Sequence, residues 1–368
     1  MKIIYFTSSL KPTDGGTRYA YDLAFRLSNS AEILVLCNKK YKQLSGIRQI
    51  EVLRSPEYYL SKPILLLVDF FKVRKVIKRE MNEDQLIIHF TAEPYAMFLP
   101  FLFGLSTKNI ITIHGTYSVL PLKQIKTRWL FKKAYQKMDR IISVSNFTKK
   151  HLLNYAKDII PLEKIKVISN GINFIDYNVL NRSNKKTRQI ICVGQIKNRK
   201  GAHHLLRVAK ILKNKTNIGF KINFVGKRNP NSKYFCGLQK YIEENNLGNN
   251  IVFTDFVSQK ELNNYYRIAD LFVLLSVNEN YHYEGYPLSF HEAAMWGLPT
   301  IGSFNCGAEE AIKDGETGFL VNPADHQAVA EKIIDLWTGK LFIDPQTCKK
   351  WAEENDWSKK DLLSIYRD

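Results

Sequence analysis

Long apolar runs are missing from this sequence. None approaches the 18 residues that a membrane-spanning helix needs, the longest lying around 63–71 and 96–105, so an integral membrane protein is excluded. Cysteine is scarce as well. Cys37, Cys192, Cys236, Cys306 and Cys348 are widely spaced and form no C-x-x-C pair, which argues against a structural zinc and suits a reducing cytoplasm. No Asp stands two residues from another Asp, and His and Cys do not cluster, so neither a D-x-D metal clamp nor a zinc site is expected. No repeat of solenoid period is present. Residues 1–9 lack the length and cleavage pattern of a signal peptide and are expected to form a buried strand. Acidic residues are few beside basic ones: 35 Asp and Glu against 54 Lys and Arg, a formal charge of +19.

What is present points to a large globular chain. With 368 residues there is room for two domains of about 150 residues each, and 21 Phe with 19 Tyr can fill their cores. The positive charge is uneven. Residues 1–180 hold 28 Lys and Arg against 14 Asp and Glu, net +14, whereas 181–368 hold 26 against 21, net +5. The first half is therefore expected to face something anionic.

Short apolar runs alternate with helical patterns in both halves. In the first half, strands are expected at 3–7, 32–37, 86–90 and 110–113, with a helix over 17–27. In the second, strands at 189–193, 220–225, 251–253, 271–275 and 300–302 alternate with helices over 202–213, 234–244, 261–268 and 288–296. Such alternation predicts two α/β units with parallel sheets, and residues 170–188, with Asn-Gly followed by Asn-Arg-Ser-Asn-Lys-Lys, read as the linker. Ligands of such sheets sit outside the carboxyl ends of the strands.

The most informative stretch is Tyr283-Glu284-Gly285-Tyr286-Pro287-Leu288-Ser289-Phe290-His291-Glu292, running from a strand into a short helix closed by Gly297 and Pro299. Glu284 falls in the loop and Glu292 about one turn into the helix. Backbone N–H groups from Tyr286, Leu288 and Ser289 at the helix start offer a cradle for phosphate oxygens, and a carboxylate on either side can accept hydrogen bonds from sugar hydroxyls. Val193-Gly194-Gln195-Ile196-Lys197-Asn198-Arg199-Lys200-Gly201 follows another strand. In the first half, Asp14-Gly15-Gly16-Thr17 separates strand and helix, and its paired glycines are expected to leave helix-start amides free for a ligand. His114 ends a strand in Ile113-His114-Gly115.

These segments resemble the motifs of family 4 of the retaining glycosyltransferases, including the E-x7-E motif, here Glu284 and Glu292, and a V-G-R-x(3 to 4)-K-G loop whose basic side chains hold the donor diphosphate. The resemblance implies that Lys200 stabilises the departing diphosphate, while Gln195, in place of the Arg, can hydrogen-bond but brings no charge, and Arg199 is expected to supply the missing cation. Gly307-Ala308-Glu309-Glu310 through Gly318-Phe319-Leu320-Val321 resembles a further family segment of mostly architectural value. The resemblance implies the GT-B fold: two facing Rossmann-like domains with a central cleft, an acceptor domain over 1–172, a donor domain over 173–350, and a C-terminal helix over 351–368 crossing back to the first. It further implies hexose transfer, with retention, from a UDP- or GDP-sugar to a hydroxyl of a glycan or lipid-linked acceptor, as in bacterial polysaccharide or glycolipid assembly. In that scheme Glu284, His114 and Lys200 are catalytic. Gly15, Gly16, Gln195, Arg199, Lys200, Gly285, Tyr286, Pro287, Leu288 and Glu292 bind the donor, with no metal and no cofactor beyond the nucleotide-sugar.

The excess basic charge gathers in two stretches. Residues 123–140 interleave seven Lys and Arg with Ile125, Trp129 and Phe131, and 71–79 add Lys72, Arg74, Lys75, Lys78 and Arg79. Such surfaces suit an anionic bilayer or a diphosphate-linked lipid, or simply a solvated helix packed on a sheet. The expectation is a cytoplasmic protein, peripheral on the inner face of the membrane; no nucleic-acid motif accompanies the charge, so no nucleic acid is expected as partner. Two rivals are an epimerase or phosphorylase on the same architecture, and a non-catalytic scaffold binding membrane or nucleic acid.

Overall fold

Runs of four to seven apolar residues bounded by helices are the material of strands buried on both faces. The computed structural model describes residues 1–81, 86–179 and 185–367. It separates into two compact units, Met1–Asn170 with Asp361–Asp368, and Gly171–Lys360. Part of the expected linker, at 180–184, lies outside the described residues.

Among the described residues the first unit carries a seven-stranded parallel sheet. Its strands are β1 (Lys2–Thr7), β2 (Glu32–Cys37), β3 (Ile47–Glu51), β4 (Leu86–Phe90), β5 (Thr107–Ile113), β6 (Arg140–Ser143) and β7 (Ile165–Val167), in the order β3-β2-β1-β4-β5-β6-β7. Around it lie α1 (Gly15–Leu27), α2 (Pro56–Ser61), α3 (Leu66–Glu80), α4 (Thr116–Lys123), α5 (Ile125–Gln136) and α6 (Asn146–Ala156). Asp14 caps α1, accepting from the amides of Gly16 and Thr17, while Tyr19, Ala20, Leu23, Ala24 and Leu27 form its buried face. Helix α5 buries Leu130, Phe131, Ala134 and Tyr135 and leaves Ile125 and Trp129 exposed among its basic residues.

The second unit repeats the plan with six parallel strands among the described residues. These are β8 (Thr187–Val193), β9 (Gly219–Val225), β10 (Ile251–Phe253), β11 (Leu271–Leu274), β12 (Thr300–Ser303) and β13 (Gly318–Val321), in the order β10-β9-β8-β11-β12-β13. Its helices are α7 (Ala202–Lys215), α8 (Lys233–Glu244), α9 (Gln259–Ile268), α10 (Ser289–Met295), α11 (His326–Thr338) and α12 (Pro345–Glu354). In each sheet the strand order reverses once, between β1 and β4 and between β8 and β11. The loops after those strands therefore diverge to opposite faces and leave a crevice at the carboxyl edge.

The C-terminal stretch corrects an expectation. No single helix spans 351–368: α12 ends at Glu354, and 3-10 turns follow at Trp357–Lys359 and Leu362–Ile365. Asp356 and Asp361 cap these turns, accepting from the amides of Ser358 and Ser364, and each cap restarts the chain in a new direction. The divisions also shift from 172/173 and 350/351 to 170/171 and 360/361. Trp357 explains this: its amide donates to Ile172 O at 2.9 Å, and its ring lies against Gly171, where an added Cβ would stand 2.5 Å away. Residues Asp361–Asp368 belong to the first unit. There Tyr366 OH meets Tyr5 OH at 2.8 Å and His89 Nδ1 at 2.9 Å, and Arg140 Nη1 donates to Ser364 O and Ile365 O. Among the described residues no helix is long and apolar enough to cross a membrane.

Candidate active site

In the second unit the residues singled out by the motifs gather at the β8–β11 reversal. The turn after β8 carries Arg199 and Lys200, and the loop after β11 carries Glu284. Arg199 Nη1 lies 2.9 Å and Lys200 Nζ 2.6 Å from the same atom, Glu284 Oε2. The Glu284 side chain is only 12% exposed. Burial would raise its carboxyl, but the Lys200 and Arg199 charges outweigh burial and hold it down at about 2. Arg199 thus brings a second cation to the carboxylate beside Lys200. Gln195 is exposed and accepts from Lys197 Nζ at 3.1 Å.

Close backbone approaches set this geometry. Gly201 has φ +68°, and a Cβ there would stand 1.7 Å from Leu275 O, so only glycine lets the Arg199-Lys200 turn lie against the end of β11. Val277 N donates to Arg199 O at 2.8 Å across the same seam. On the other side, Gly307 N donates to Glu284 O at 2.8 Å, and a Cβ on Gly307 would meet Gly285 O at 1.9 Å. The segment after β12 therefore braces the Glu284–Gly285 turn.

Beyond that turn, Tyr286 points inward, its hydroxyl 2.7 Å from His291 Nε2 and 3.3 Å from Asn355 Oδ1. Pro287 and Leu288 lead into α10, whose start has no side-chain cap. Glu292, in the first turn of α10, accepts from Tyr266 OH at 3.0 Å.

The family models decide what this arrangement belongs to. One described as Glycosyltransferase Family 4 matches residues 13–174, and one described as Glycosyl transferases group 1 matches 177–356. The chain belongs to glycosyltransferase family 4. An uncharacterised glycosyltransferase of Methanocaldococcus jannaschii is 24% identical over 369 residues, covering 98% of this chain and 94% of its own. A GDP-mannose-dependent alpha-(1-6)-phosphatidylinositol monomannoside mannosyltransferase of Mycolicibacterium smegmatis is 22% identical over 326 residues, 82% of this chain and 81% of its own. The Anabaena HepE structure in complex with UDP-glucose matches with a TM-score of 0.76 at 18% identity, over 99% of this chain and 97% of that one, a likeness of fold. The two Rossmann-like units are those of a GT-B glycosyltransferase.

In the first unit of this glycosyltransferase, His114 lies between β5 and α4. Its Nε2 is 3.2 Å from Thr91 O, which can only accept, so Nε2 carries the proton and Nδ1 is left as the acceptor. Burial lowers this imidazole to about 4, so it is neutral near pH 7. At α1 the expectation of free amides fails in part. Gly16 N donates to Asp14 Oδ1 at 3.0 Å and Thr17 N at 3.1 Å, because Asp14 caps the helix itself. A Cβ on Gly15 would meet nothing within 4 Å, so the backbone there remains approachable.

Two residues escaped the sequence reading. Lys197 joins the cationic turn; burial first, then the Arg199 and Lys200 charges, push its ammonium down to about 8 against the pull of Glu284. Its signal was its place as the first of three basic residues in Lys197-Asn198-Arg199-Lys200. Glu93 follows β4, at the reversal point of the first sheet, and its Oε1 accepts from His114 N at 2.8 Å. Burial pushes this carboxyl up to about 7 although the amides of His114 and Gly115 pull it down. Among the described residues no group of three or more His, Cys, Asp or Glu could hold a metal ion.

Proposed function

We propose that this glycosyltransferase moves a hexose, with retention at the anomeric carbon, from a UDP- or GDP-sugar to a hydroxyl of a glycan or lipid-linked acceptor, as in bacterial polysaccharide or glycolipid assembly. The observation that carries the reading is the convergence of Arg199 and Lys200 on Glu284 Oε2, two cations on one largely buried carboxylate at the edge of a Rossmann-like sheet. The printed names of relatives add support: one uses GDP-mannose, and one neighbour of the same fold holds UDP-glucose.

In the reaction the bond between the anomeric carbon and the diphosphate oxygen breaks, and the acceptor oxygen bonds to that carbon and gives up its proton. The nucleoside diphosphate leaves with added negative charge. Lys200 and Arg199 stabilise that charge, and the backbone from Gly285 through Leu288 receives phosphate oxygens at the uncapped start of α10. Glu284 orients the sugar and opposes the positive charge growing at its anomeric carbon. Glu292 accepts from the ribose, and His114 and the Gly15-Gly16 turn serve the donor from their own unit. No cofactor beyond the nucleotide-sugar takes part in this scheme, and the enzyme works from the inner face of an anionic membrane.

The test is a panel of UDP- and GDP-sugars scored for nucleotide release with and without lipid-linked acceptors, with the anomeric configuration of the product read by NMR. Retained configuration with one donor class is expected. An inverted product overturns the retaining assignment. Isomerised donor without acceptor, or cleavage that needs inorganic phosphate, replaces transfer by one of the rival chemistries.

A further inference from the structure

Helix α3 is apolar on two opposite faces. Leu66, Phe70, Val73 and Ile77 are buried in the first unit, at the spacing of an inward stripe. On the other side Leu67, Val68 and Phe71 are 43%, 54% and 71% exposed, and Ile64, in the turn just before the helix, is 72% exposed. The spacing 64, 67, 68, 71 is that of a second stripe, and it continues to the exposed Lys75 and Lys78. The outward side thus changes along its length from apolar to basic.

The acidic residues of α3 do not offset this charge. Asp69 is buried and occupied by Arg54, at 2.8 Å, and Tyr59, at 2.9 Å; Glu80 is paired with Lys2 at 2.7 Å and with Arg48. Among the described residues no carboxylate pairs with Lys72, Lys75 or Lys78. Beside the stripe Phe103 is 64% exposed and is held there by Arg74, whose Nη1 donates to Phe103 O at 2.7 Å and whose guanidinium lies 5.0 Å from the ring. Phe71 and Phe103, with Arg74, Lys75 and Lys78, line a hollow of about 480 Å³.

We infer that the outward face of α3, together with Phe103, docks on an anionic phospholipid bilayer. The chemistry selects this partner. Large apolar side chains set against exposed lysines along a 15-residue helix match an interface whose acyl boundary lies beneath a layer of phosphate. Lysine stems can lie along the apolar zone while their ammonium groups reach the phosphates. The net +14 of residues 1–180 draws this unit toward the same surface. The docking rests on the membrane part of the proposed function, to which it assigns a surface, and not on the sugar donor.

The experiment is co-sedimentation of the full chain with vesicles of phosphatidylcholine alone or mixed with phosphatidylglycerol, over a range of NaCl, with circular dichroism melts to show that each variant is folded. The wild type is expected to sediment with the mixed vesicles and to be released by salt. Val68→Ser with Phe71→Ser should weaken partitioning by on the order of tenfold or more, from the apolar area withdrawn. Lys75→Glu with Lys78→Glu should do so by a similar factor, since each lysine near such a surface contributes about fivefold. Lys350→Glu, on the second unit, should leave binding unchanged. The inference is overturned if the wild type stays in the supernatant at low salt, or if the α3 variants sediment like the wild type. It is equally overturned if only the lysine pair matters and duplex DNA is bound with the same loss. Because no donor is present, failure of the donor assignment leaves this result readable.

Discussion

Glu284 Oε2 takes the charge of both Arg199 and Lys200, so a diphosphate arriving at that turn competes with a carboxylate for the same two cations. Glu284→Gln removes the competitor and the charge that opposes the anomeric cation. Nucleoside diphosphate should therefore bind about five- to tenfold tighter while turnover falls by about a hundredfold or more. Calorimetric titration with UDP and GDP, set beside nucleotide release, checks both halves; weaker binding together with unchanged turnover contradicts the roles given to this triad. Lys200→Ala should lower turnover by a similar factor, in a chain whose melt is unchanged. Glu93 titrates in the opposite sense. With its folded carboxyl raised to about 7, it stays protonated where an unfolded chain has already released the proton, so its contribution to stability is full below about pH 4 and is lost as pH rises toward about 7. Glu93→Gln keeps an acceptor for His114 N and has no proton to lose. Its melting temperature should therefore hold steady over that window while the wild type declines, and parallel curves would refute the assignment.

At the scale of elements, the turn between β8 and α7 is the most constrained. Gly201→Ala adds a left-handed penalty to a contact with Leu275 O that no rotamer relieves, and should destabilise the second unit by at least about 2 kcal/mol, read as a lower urea midpoint. Most elements here were legible in the sequence because strands buried on both faces are written as continuous apolar runs: 86–90 and 271–274 needed little more than that pattern. β3 was not, since Ile47-Arg48-Gln49-Ile50-Glu51 is an edge strand with polar residues at alternate exposures and no apolar run. The final helix was misread because it was carried over from the family resemblance, whereas the two Asp caps that break the chain into short turns are local hydrogen bonds a resemblance of motifs does not record. In the site, Glu284, Lys200 and Arg199 were legible through motif context. Glu93 was not, because only the strand order, with β4 beside β1, puts it at a reversal point.

At the scale of the whole molecule, the first unit is completed by residues far away in the chain. Tyr366, buried, is bound to Tyr5 OH and His89 Nδ1, and His89 Nε2 continues through Thr112 Oγ1 to Tyr19 OH, whose ring lies edge-on to His114 at 4.8 Å. Tyr366→Phe leaves two buried groups short of a partner and should cost about 1–3 kcal/mol. Ending the chain after Lys360 also removes the Arg140 and Lys108 contacts and should lower the melting temperature further. A truncated chain that melts with the wild type would mean that this segment holds nothing in place.

The same arrangement imposes an order on biosynthesis. A ribosome adding roughly 5 to 20 residues per second finishes residue 170 some ten to forty seconds before it reaches Tyr366. The lobe made first is thus the one finished last, and until then its tyrosine and histidine await a partner not yet synthesised.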